Sequence, residues 1–187
     1  MTNTALIVID AQESFRRTSY WSETDLSSYI DRQQALIDGC VAHGVTVVRI
    51  FHVEEQGAFS LASGHVRTLD ELSIAPAVTF HKHRHSALAG TALASWLIAQ
   101  GIGRLIVSGI RTEQCCETTS RHASDSGFEV DFVSEATLTF AMTHPRSGRT
   151  YTPQDIRERT ELVLEGRFAR IATVGEALEA LPRPLVA

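Results

Sequence analysis

The sequence predicts an α/β protein in which helices cover both faces of a central, mainly parallel six-stranded sheet. Short apolar runs rich in Val and Ile alternate along the chain with longer segments whose apolar residues recur at helical spacing. Glycines follow several of these helical segments, as is common where a helix ends. Strands that alternate with helices pair in parallel, so the pattern indicates a three-layer α/β/α architecture.

The size and charge of the chain are typical of one globular domain over residues 1–187. Apolar residues make up 43% and charged residues 21%. The net charge of -5 comes without any block of Lys or Arg, so we expect neither nucleic acid nor a membrane as a partner. There is no bilayer-spanning apolar run and no N-terminal signal pattern. Three cysteines form no disulfide framework, and we therefore expect a reduced, cytoplasmic protein.

The first half of the chain contains three predicted strands and two helices. The first strand is continuously apolar and ends at Asp10, as a central parallel strand with an acid at its tip would. Cys40 lies on the apolar face of the long first helix, which Gly44 ends, so we assign it to the core. Residues 52–76 form a long loop with a short helix. In chain order the elements are strands 5–9, 45–51 and 77–82 and helices 26–41 and 91–100.

The second half repeats the alternation. A helix that starts near Cys115 and runs to about residue 126 follows the fourth strand, with Thr112 as its cap. Thr173 caps the last helix. The polar stretch 143–149 is predicted as an exposed loop that serves as a lid or as an oligomer contact, and the sequence does not decide between them. The remaining elements are strands 104–110, 128–133 and 168–172 and helices 152–164 and 174–181.

Three reactive groups fall at the carboxyl ends of predicted strands: Asp10, Lys82 and Cys115. Ligand sites of open parallel sheets lie beyond those ends, so we expect the three side chains to meet there. A thiol at a helix N-terminus and near an ammonium is favoured as the thiolate, and we expect it to react well below the free-thiol pKa of about 8.5. The alternatives are a core cysteine, a turn-capping Asp10 and a solvated Lys82.

These residues resemble the isochorismatase-like cysteine hydrolases, the superfamily that includes nicotinamidases and N-carbamoylsarcosine amidohydrolase. The resemblance covers nearly the whole chain, and its three motifs are specific together although each alone is weak. The motifs are Leu6–Gln12 with Phe15, then Lys82–Leu88 with Gly90, Thr91 and Leu93, and finally Gly109–Cys115 with Thr119, Arg121 and Ala123.

The resemblance implies a hydrolase with a Cys-Asp-Lys triad and no cofactor. Cys115 would be the nucleophile, Asp10 the proton carrier and Lys82 its cationic partner. A non-proline cis peptide between Ile110 and Arg111 would help aim the backbone N–H groups of Arg111 and Cys115 into an oxyanion hole. The expected reaction cleaves a C–N bond of a small carboxamide, carbamoyl or ureido compound through a thioester. The same resemblance implies a homo-oligomer, either a dimer or a tetramer.

Candidate pocket residues are Phe15, Trp21, His52 and Gln12. Phe15 is expected to line the pocket, whereas Trp21 either lines it or covers the edge of the core. Cys116 stands where the family usually has a small apolar residue and is interpreted as packing. A disulfide between Cys115 and Cys116 would strain the backbone and is not expected.

Metal binding is the less favoured interpretation of the histidines His81, His83 and His85. Alternation along a strand would place all three on one face, but the strand is predicted to end near Lys82, which would scatter them. The Asp-x-His metal pattern of nicotinamidases is replaced here by Phe51-His52-Val53. We therefore predict no metal site.

Two further points bear on function. The missing metal pattern disfavours nicotinamide, and Cys115 disfavours isochorismate, because isochorismatases cleave a vinyl ether without a cysteine nucleophile. Alternatives to an amide hydrolase are a catalytically silent binding protein with this fold and a redox-responsive thiol protein. An intact triad speaks against the first, and the absence of Cys-x-x-Cys spacing speaks against the second.

Overall fold

Six parallel strands form the centre of the protein in a computed structural model that describes residues 3–182. Two further short strands form a separate antiparallel pair. In chain order the elements are β1 (Thr4–Ile9), α1 (Leu26–Ala42), β2 (Thr46–His52), β3 (Val78–Lys82), α2 (Leu93–Ala99), β4 (Arg104–Ile110), α3 (Glu117–Asp125), β5 (Glu129–Leu138), β6 (Met142–Thr143), β7 (Thr150–Tyr151), α4 (Pro153–Leu164), β8 (Arg170–Ala172) and α5 (Val174–Glu179).

The strand order of the sheet is β3-β2-β1-β4-β5-β8, with every neighbouring pair parallel. The chain moves outward from β1 in one direction and, after α2, outward from β4 in the other. The order therefore reverses between β1 and β4. In open sheets of this kind such a reversal leaves a crevice at the carboxyl ends of the two central strands, which is where ligands bind.

Both faces of the sheet are buried, which explains why its strands are continuously apolar rather than alternating. Leu6 and Val8 of β1 pack in one layer with α1 and α5. Ala5, Ile7 and Ile9 point the other way and pack in a second layer with α2, α3 and the end of α4. The predicted three-layer α/β/α fold with six main strands is confirmed, as is the core position of Cys40.

The carboxyl ends of β1 and β4 approach each other unusually closely. Gly109 has φ +122°, and a Cβ atom there would lie 1.9 Å from the carbonyl oxygen of Ile9. Only glycine fits this position. On the other strand, Asp10 adopts φ +51°, a left-handed conformation that costs a non-glycine residue of order 1 kcal/mol or more. The surrounding packing thus imposes the backbone conformation at the tips of both strands.

Several predicted boundaries were wrong. β5 continues to Leu138 instead of ending at 133, because the polar residues Ser134 and Glu135 interrupt the apolar run without interrupting the strand. α2 and α5 are each shorter than predicted. Thr173 caps α5 as expected. No helix within residues 3–182 is long and apolar enough to cross a membrane.

The predicted loop 143–149 is the connection of a short hairpin, in which β6 and β7 pair in the antiparallel direction. Its connecting residues are exposed. The hairpin and α4 border a groove of about 510 Å³ whose lining includes Met142, Tyr151 and Leu162. Asp10, Lys82 and Cys115 do not line this groove.

Candidate active site

The side chains of Asp10, Lys82 and Cys115 meet at the carboxyl edge of the sheet. Asp10 follows β1, Lys82 ends β3, and Cys115 lies in the turn after β4. The Nζ atom of Lys82 is 2.6 Å from Oδ2 of Asp10 and 3.3 Å from Sγ of Cys115. The Asp10 and Lys82 side chains are both 0% exposed. Three residues from distant parts of the chain thus form one buried cluster.

His52 occupies the remaining side of the Lys82 ammonium. Its Nδ1 atom lies 3.3 Å from Nζ of Lys82, and its Nε2 atom lies 3.4 Å from Oε1 of Glu54. An ammonium has three N–H donors, and Asp10, Cys115 and His52 accept one each. Nδ1 therefore accepts a hydrogen bond, and Nε2 carries the proton of the neutral ring. Burial and the charge of Lys82 both lower the pKa of His52, which favours that neutral form.

The charges of the cluster are set by burial and by the ion pair. Burial raises the pKa of Asp10, and the nearby Lys82 offsets this only in part. For Lys82, burial opposes the charge, but Asp10 and Cys115 outweigh that effect and raise the pKa. The 2.6 Å contact between the two groups is that of a carboxylate–ammonium ion pair, and burial makes Asp10 more basic than an ordinary aspartate. That combination suits a group that must accept and return a proton near neutral pH.

Cys115 is a neutral thiol in this arrangement, and the expectation of a resting thiolate was wrong. Burial, followed by the negative charge of Asp10, raises the pKa of Cys115 to about 12. Lys82 lowers it, but its charge is already neutralised by Asp10. The proton of the thiol must therefore move during the reaction. Asp10 is the carboxylate whose proximity raises the pKa of this thiol, and it is therefore the candidate acceptor for that proton.

The backbone around Cys115 also differs from the predicted helix start. Residues Thr112–Cys116 form a π-helical turn that leads into α3, and the N–H of Cys116 donates to the carbonyl of Arg111 at 3.2 Å. Thr112 was predicted as the cap, which was wrong. Its hydroxyl instead bonds to that of Thr137 at 2.8 Å. The extra residue in the turn is a common feature of functional sites.

The other two cysteines have no comparable surroundings. Cys40 and Cys116 are both 0% exposed and pack in the two apolar layers. All three cysteines are free thiols, so no bond joins Cys115 to Cys116. Cys116 therefore packs as the sequence predicted, although it is adjacent to the candidate nucleophile.

Arg111 occupies the junction between β4 and the cysteine turn. The peptide bond from Ile110 to Arg111 is cis. The buried guanidinium group pairs with Glu113 at 2.8 Å and lies 4.8 Å from the ring of Tyr20 and 5.7 Å from that of Phe140. The oxyanion hole predicted for the N–H groups of Arg111 and Cys115 stays a prediction.

Phe15 and Trp21 belong to an aromatic cluster around Phe140. The ring centroid of Phe140 is 6.5 Å from that of Phe15 and 5.3 Å from that of Trp21. Phe15 is buried and also contacts Phe59 edge-on at 5.1 Å, whereas Trp21 is half-buried. Sequence reasoning missed Phe140, because the strand before it was predicted to end too early. It missed Phe59 because the long loop carries no periodic signal.

Gln12 is fully buried and its carboxamide is engaged within the protein. Its Oε1 accepts from the N–H of His52 at 2.8 Å, and its Nε2 donates to the His52 carbonyl at 3.1 Å and to Ser14 at 2.9 Å. Both amide hydrogens are therefore used. Gln12 fixes the backbone that carries His52, and a direct contact with substrate stays a prediction.

The histidines His81, His83 and His85, in and after β3, are scattered, as expected from a strand that ends at Lys82. Nδ1 of His83 lies 2.8 Å from the carbonyl of Val53, and His81 lies against Phe51. His85 was considered only as a metal ligand, yet its Nδ1 is 3.8 Å from Sγ of Cys115. Its ring is nearly parallel to that of His52, at 8° and 6.5 Å between centroids. Residues 3–182 contain no group of three or more His, Cys, Asp or Glu side chains placed to hold a metal ion.

Comparison with known proteins is consistent with this geometry. A family model described as the isochorismatase domain matches residues 4–149. Nicotinamidase 3 of Arabidopsis thaliana is 44% identical over 59 residues, which is 32% of this chain and 30% of that enzyme. Streptothricin hydrolase of Streptomyces noursei is 26% identical over 184 residues, covering 96% of this chain and 62% of that enzyme.

A solved structure has the same overall fold. The crystal structure of a Burkholderia xenovorans LB400 protein is 29% identical and superimposes with a TM-score of 0.85. The match covers 100% of this chain and 94% of that one.

Proposed function

The chain belongs to the isochorismatase family of hydrolases, and on that premise we propose that it is a cysteine-dependent enzyme. The proposed reaction cleaves a C–N bond of a small carboxamide, carbamoyl or ureido substrate through a thioester on Cys115. Relatives whose names describe amide and streptothricin hydrolysis support this class of chemistry.

The observation that carries the proposal is the buried ion pair between Asp10 and Lys82, in contact with the sulfur of Cys115. Removing two charges from water costs several kcal/mol per ion unless they are well paired. Apolar side chains would fill the same space without that cost. Such a pair beside a nucleophilic atom is typical of a catalytic site.

Formation of the thioester follows from the protonation states of the three residues. Asp10 takes the thiol proton as Sγ attacks the substrate carbonyl carbon, and Lys82 stabilises the negative charge that develops on sulfur. Collapse of the tetrahedral intermediate breaks the C–N bond, and the proton held by Asp10 goes to the departing amine. The cluster then again holds one carboxylate and one ammonium.

The negative oxygen of the intermediate needs hydrogen-bond donors. In this proposal the backbone N–H groups of Arg111 and Cys115 supply them, and one such donor is typically worth about 3 to 4 kcal/mol. Because Cys115 is only 7% exposed, the reacting carbonyl must enter a narrow site, which favours small substrates. The proposal also includes a homo-oligomer in the cytoplasm. Three free thiols support a reducing setting.

The proposal is tested with a panel of small amides, carbamoyl compounds and ureides, using ammonia release as the assay. We expect at least one to be hydrolysed, and we expect Cys115→Ala to reduce turnover by about 10⁴-fold or more, as removal of a covalent nucleophile does. Cys116→Ala is the matched control, because it removes the neighbouring buried thiol and should leave turnover largely intact. Full turnover by Cys115→Ala would refute the covalent mechanism. A folded protein inactive on every amide and ureide would favour a silent binding protein.

A further inference from the structure

We propose that His85 is the base that activates water when the thioester on Cys115 is hydrolysed. This inference rests on the proposed function and divides its two half-reactions between two bases. Asp10 serves the formation of the thioester, and His85 serves its hydrolysis.

His85 is the polar side chain that faces the sulfur from the solvent side. Its Nδ1 lies 3.8 Å from Sγ of Cys115, and the residue is exposed, whereas Asp10 and Lys82 are fully buried. A water molecule that attacks a thioester carbon must sit within about 3 Å of both that carbon and its base. A group just beyond the sulfur, on the side open to water, meets this geometric requirement.

The segment that carries His85 is anchored on both sides. Before it, Nδ1 of His83 lies 2.8 Å from the carbonyl of Val53. After it, the hydroxyl of Ser86 lies 2.8 Å from Nδ1 of His122, and the N–H of Ala87 donates to Thr119 at 2.9 Å. These two last contacts attach the segment to α3, the helix that follows the cysteine turn. The backbone that carries His85 is thereby anchored near the nucleophile, which limits how far a catalytic base can move from its site of action.

Asp10 is poorly placed for the same task. Its carboxylate is 0% exposed and is paired with Lys82 at 2.6 Å. The water that attacks the thioester comes from the solvent, and His85 is an exposed side chain whose Nδ1 lies 3.8 Å from the sulfur. His52, which stacks near it, has its Nδ1 engaged by Lys82 and cannot accept a second proton there while that contact persists.

The proposed step balances without any co-reactant. The step uses the tautomer of His85 that carries its proton on Nε2, in which Nδ1 is the acceptor. Water oxygen forms a bond to the thioester carbon while one water proton moves to Nδ1, and the C–S bond then breaks to release the carboxylic acid. The electron pair of that bond goes to sulfur as a thiolate beside Lys82, and the proton on His85 passes to it to restore the thiol.

The test uses p-nitrophenyl acetate, a reactive ester that acetylates thiols and releases a coloured phenolate. For His85→Asn we expect a burst of p-nitrophenolate close to one per enzyme, followed by a steady rate about 10²-fold or more below that of the unmodified protein. Intact-mass measurement should show acetylated Cys115 accumulating. Asparagine keeps a polar atom near the Nδ1 position but cannot take the proton. A merely structural role would slow both phases together.

His81→Asn is the matched control, because His81 is exposed, lies four residues away and rests on Phe51 rather than near the sulfur. This variant should not accumulate acetylated Cys115, and its steady rate should match that of the unmodified protein. The proposal would be overturned if His85→Asn lost its acetyl group as fast as the unmodified protein, or if its burst and steady phases slowed equally. Either result would leave the role of Cys115 intact. If acetylation persists in Cys115→Ala, or does not occur at Cys115 at all, the proposed function itself fails.

Discussion

Two buried carboxylates, one near each end of the sheet, show how similar charges serve different purposes. Asp131 lies toward the amino end of β5 and is bridged by Arg104 and Arg170, whose side chains are 22% and 43% exposed. Asp10 at the carboxyl end is paired with Lys82, which is 0% exposed, and with a thiol. Water reaches the arginines of the first cluster, whereas both side chains of the Asp10–Lys82 ion pair are closed to it.

This difference separates a structural ion pair from a reactive one. Partly exposed arginines keep much of their hydration, so the cluster at Asp131 costs little to form and stabilises modestly. The cluster at Asp10 carries the full desolvation cost and holds a left-handed backbone at the same residue. Strain and burial concentrated beside a nucleophile indicate that this end of the sheet is adapted for chemistry rather than for stability.

The largest expected effect comes from Lys82→Met. It removes the cation and leaves the Asp10 carboxylate buried without its partner, which should destabilise the folded protein by about 3 to 5 kcal/mol. Equilibrium urea unfolding of the variant and the unmodified protein measures this difference. A loss below about 1 kcal/mol, typical of a surface ion pair, would mean that the two ends of the sheet do not differ as described.

The folding stability of the same variant should depend on pH in a defined direction. Burial raises the pKa of Asp10 and Lys82 lowers it, so losing Lys82 raises that pKa further. The folded state then holds a proton that the unfolded state has released. Stability therefore falls as the pH rises through the ordinary aspartate pKa toward the raised folded-state value. The deficit of Lys82→Met should be smaller at about pH 5 than at about pH 8, and the opposite trend would contradict the assignment.

A smaller effect is expected from Asp131→Asn. The two arginines can rehydrate, so the cost should be about 1 to 2 kcal/mol. Turnover should remain close to that of the unmodified protein, because the substitution is at the other end of the sheet. Unfolding and amide-hydrolysis assays on the same preparation separate the two quantities. A loss of turnover without a loss of stability would mean that Asp131 takes part in the reaction. The two carboxylate clusters would then not differ as described.

The sequence predicted most of the fold because buried parallel strands are continuous apolar runs. It also predicted which edge of the sheet would hold Asp10, Lys82 and Cys115, since parallel strands bring their carboxyl ends together. Predicted boundaries were wrong where polar residues lay inside a strand, as at Ser134 and Glu135, or where a turn contained an extra residue, as at Thr112. Apolar periodicity contains no information about either feature.

The protonation state of Cys115 and the position of His85 depend on how distant parts of the chain pack together, so the sequence alone did not predict them. Sequence proximity to a helix start suggested a thiolate, but the burial of the thiol and the charge of Asp10 outweigh that effect and raise the pKa of Cys115. His85 follows Lys82 by three residues, and the turn after β3 directs its ring back to the sulfur. The contacts of Ser86 and His83 that fix this turn carry no motif of their own.

The most direct test of the account is the rate at which iodoacetamide alkylates Cys115 as a function of pH, in the unmodified protein and in Asp10→Asn. In the unmodified protein we expect alkylation that is slow near neutral pH and keeps rising with pH, because the pKa of the buried thiol is raised to about 12. Asp10→Asn removes a negative neighbour and frees Lys82 to stabilise the thiolate, so it should alkylate faster near neutral pH while losing turnover. Rapid, pH-independent alkylation of the unmodified protein, or slower alkylation of Asp10→Asn, would contradict it.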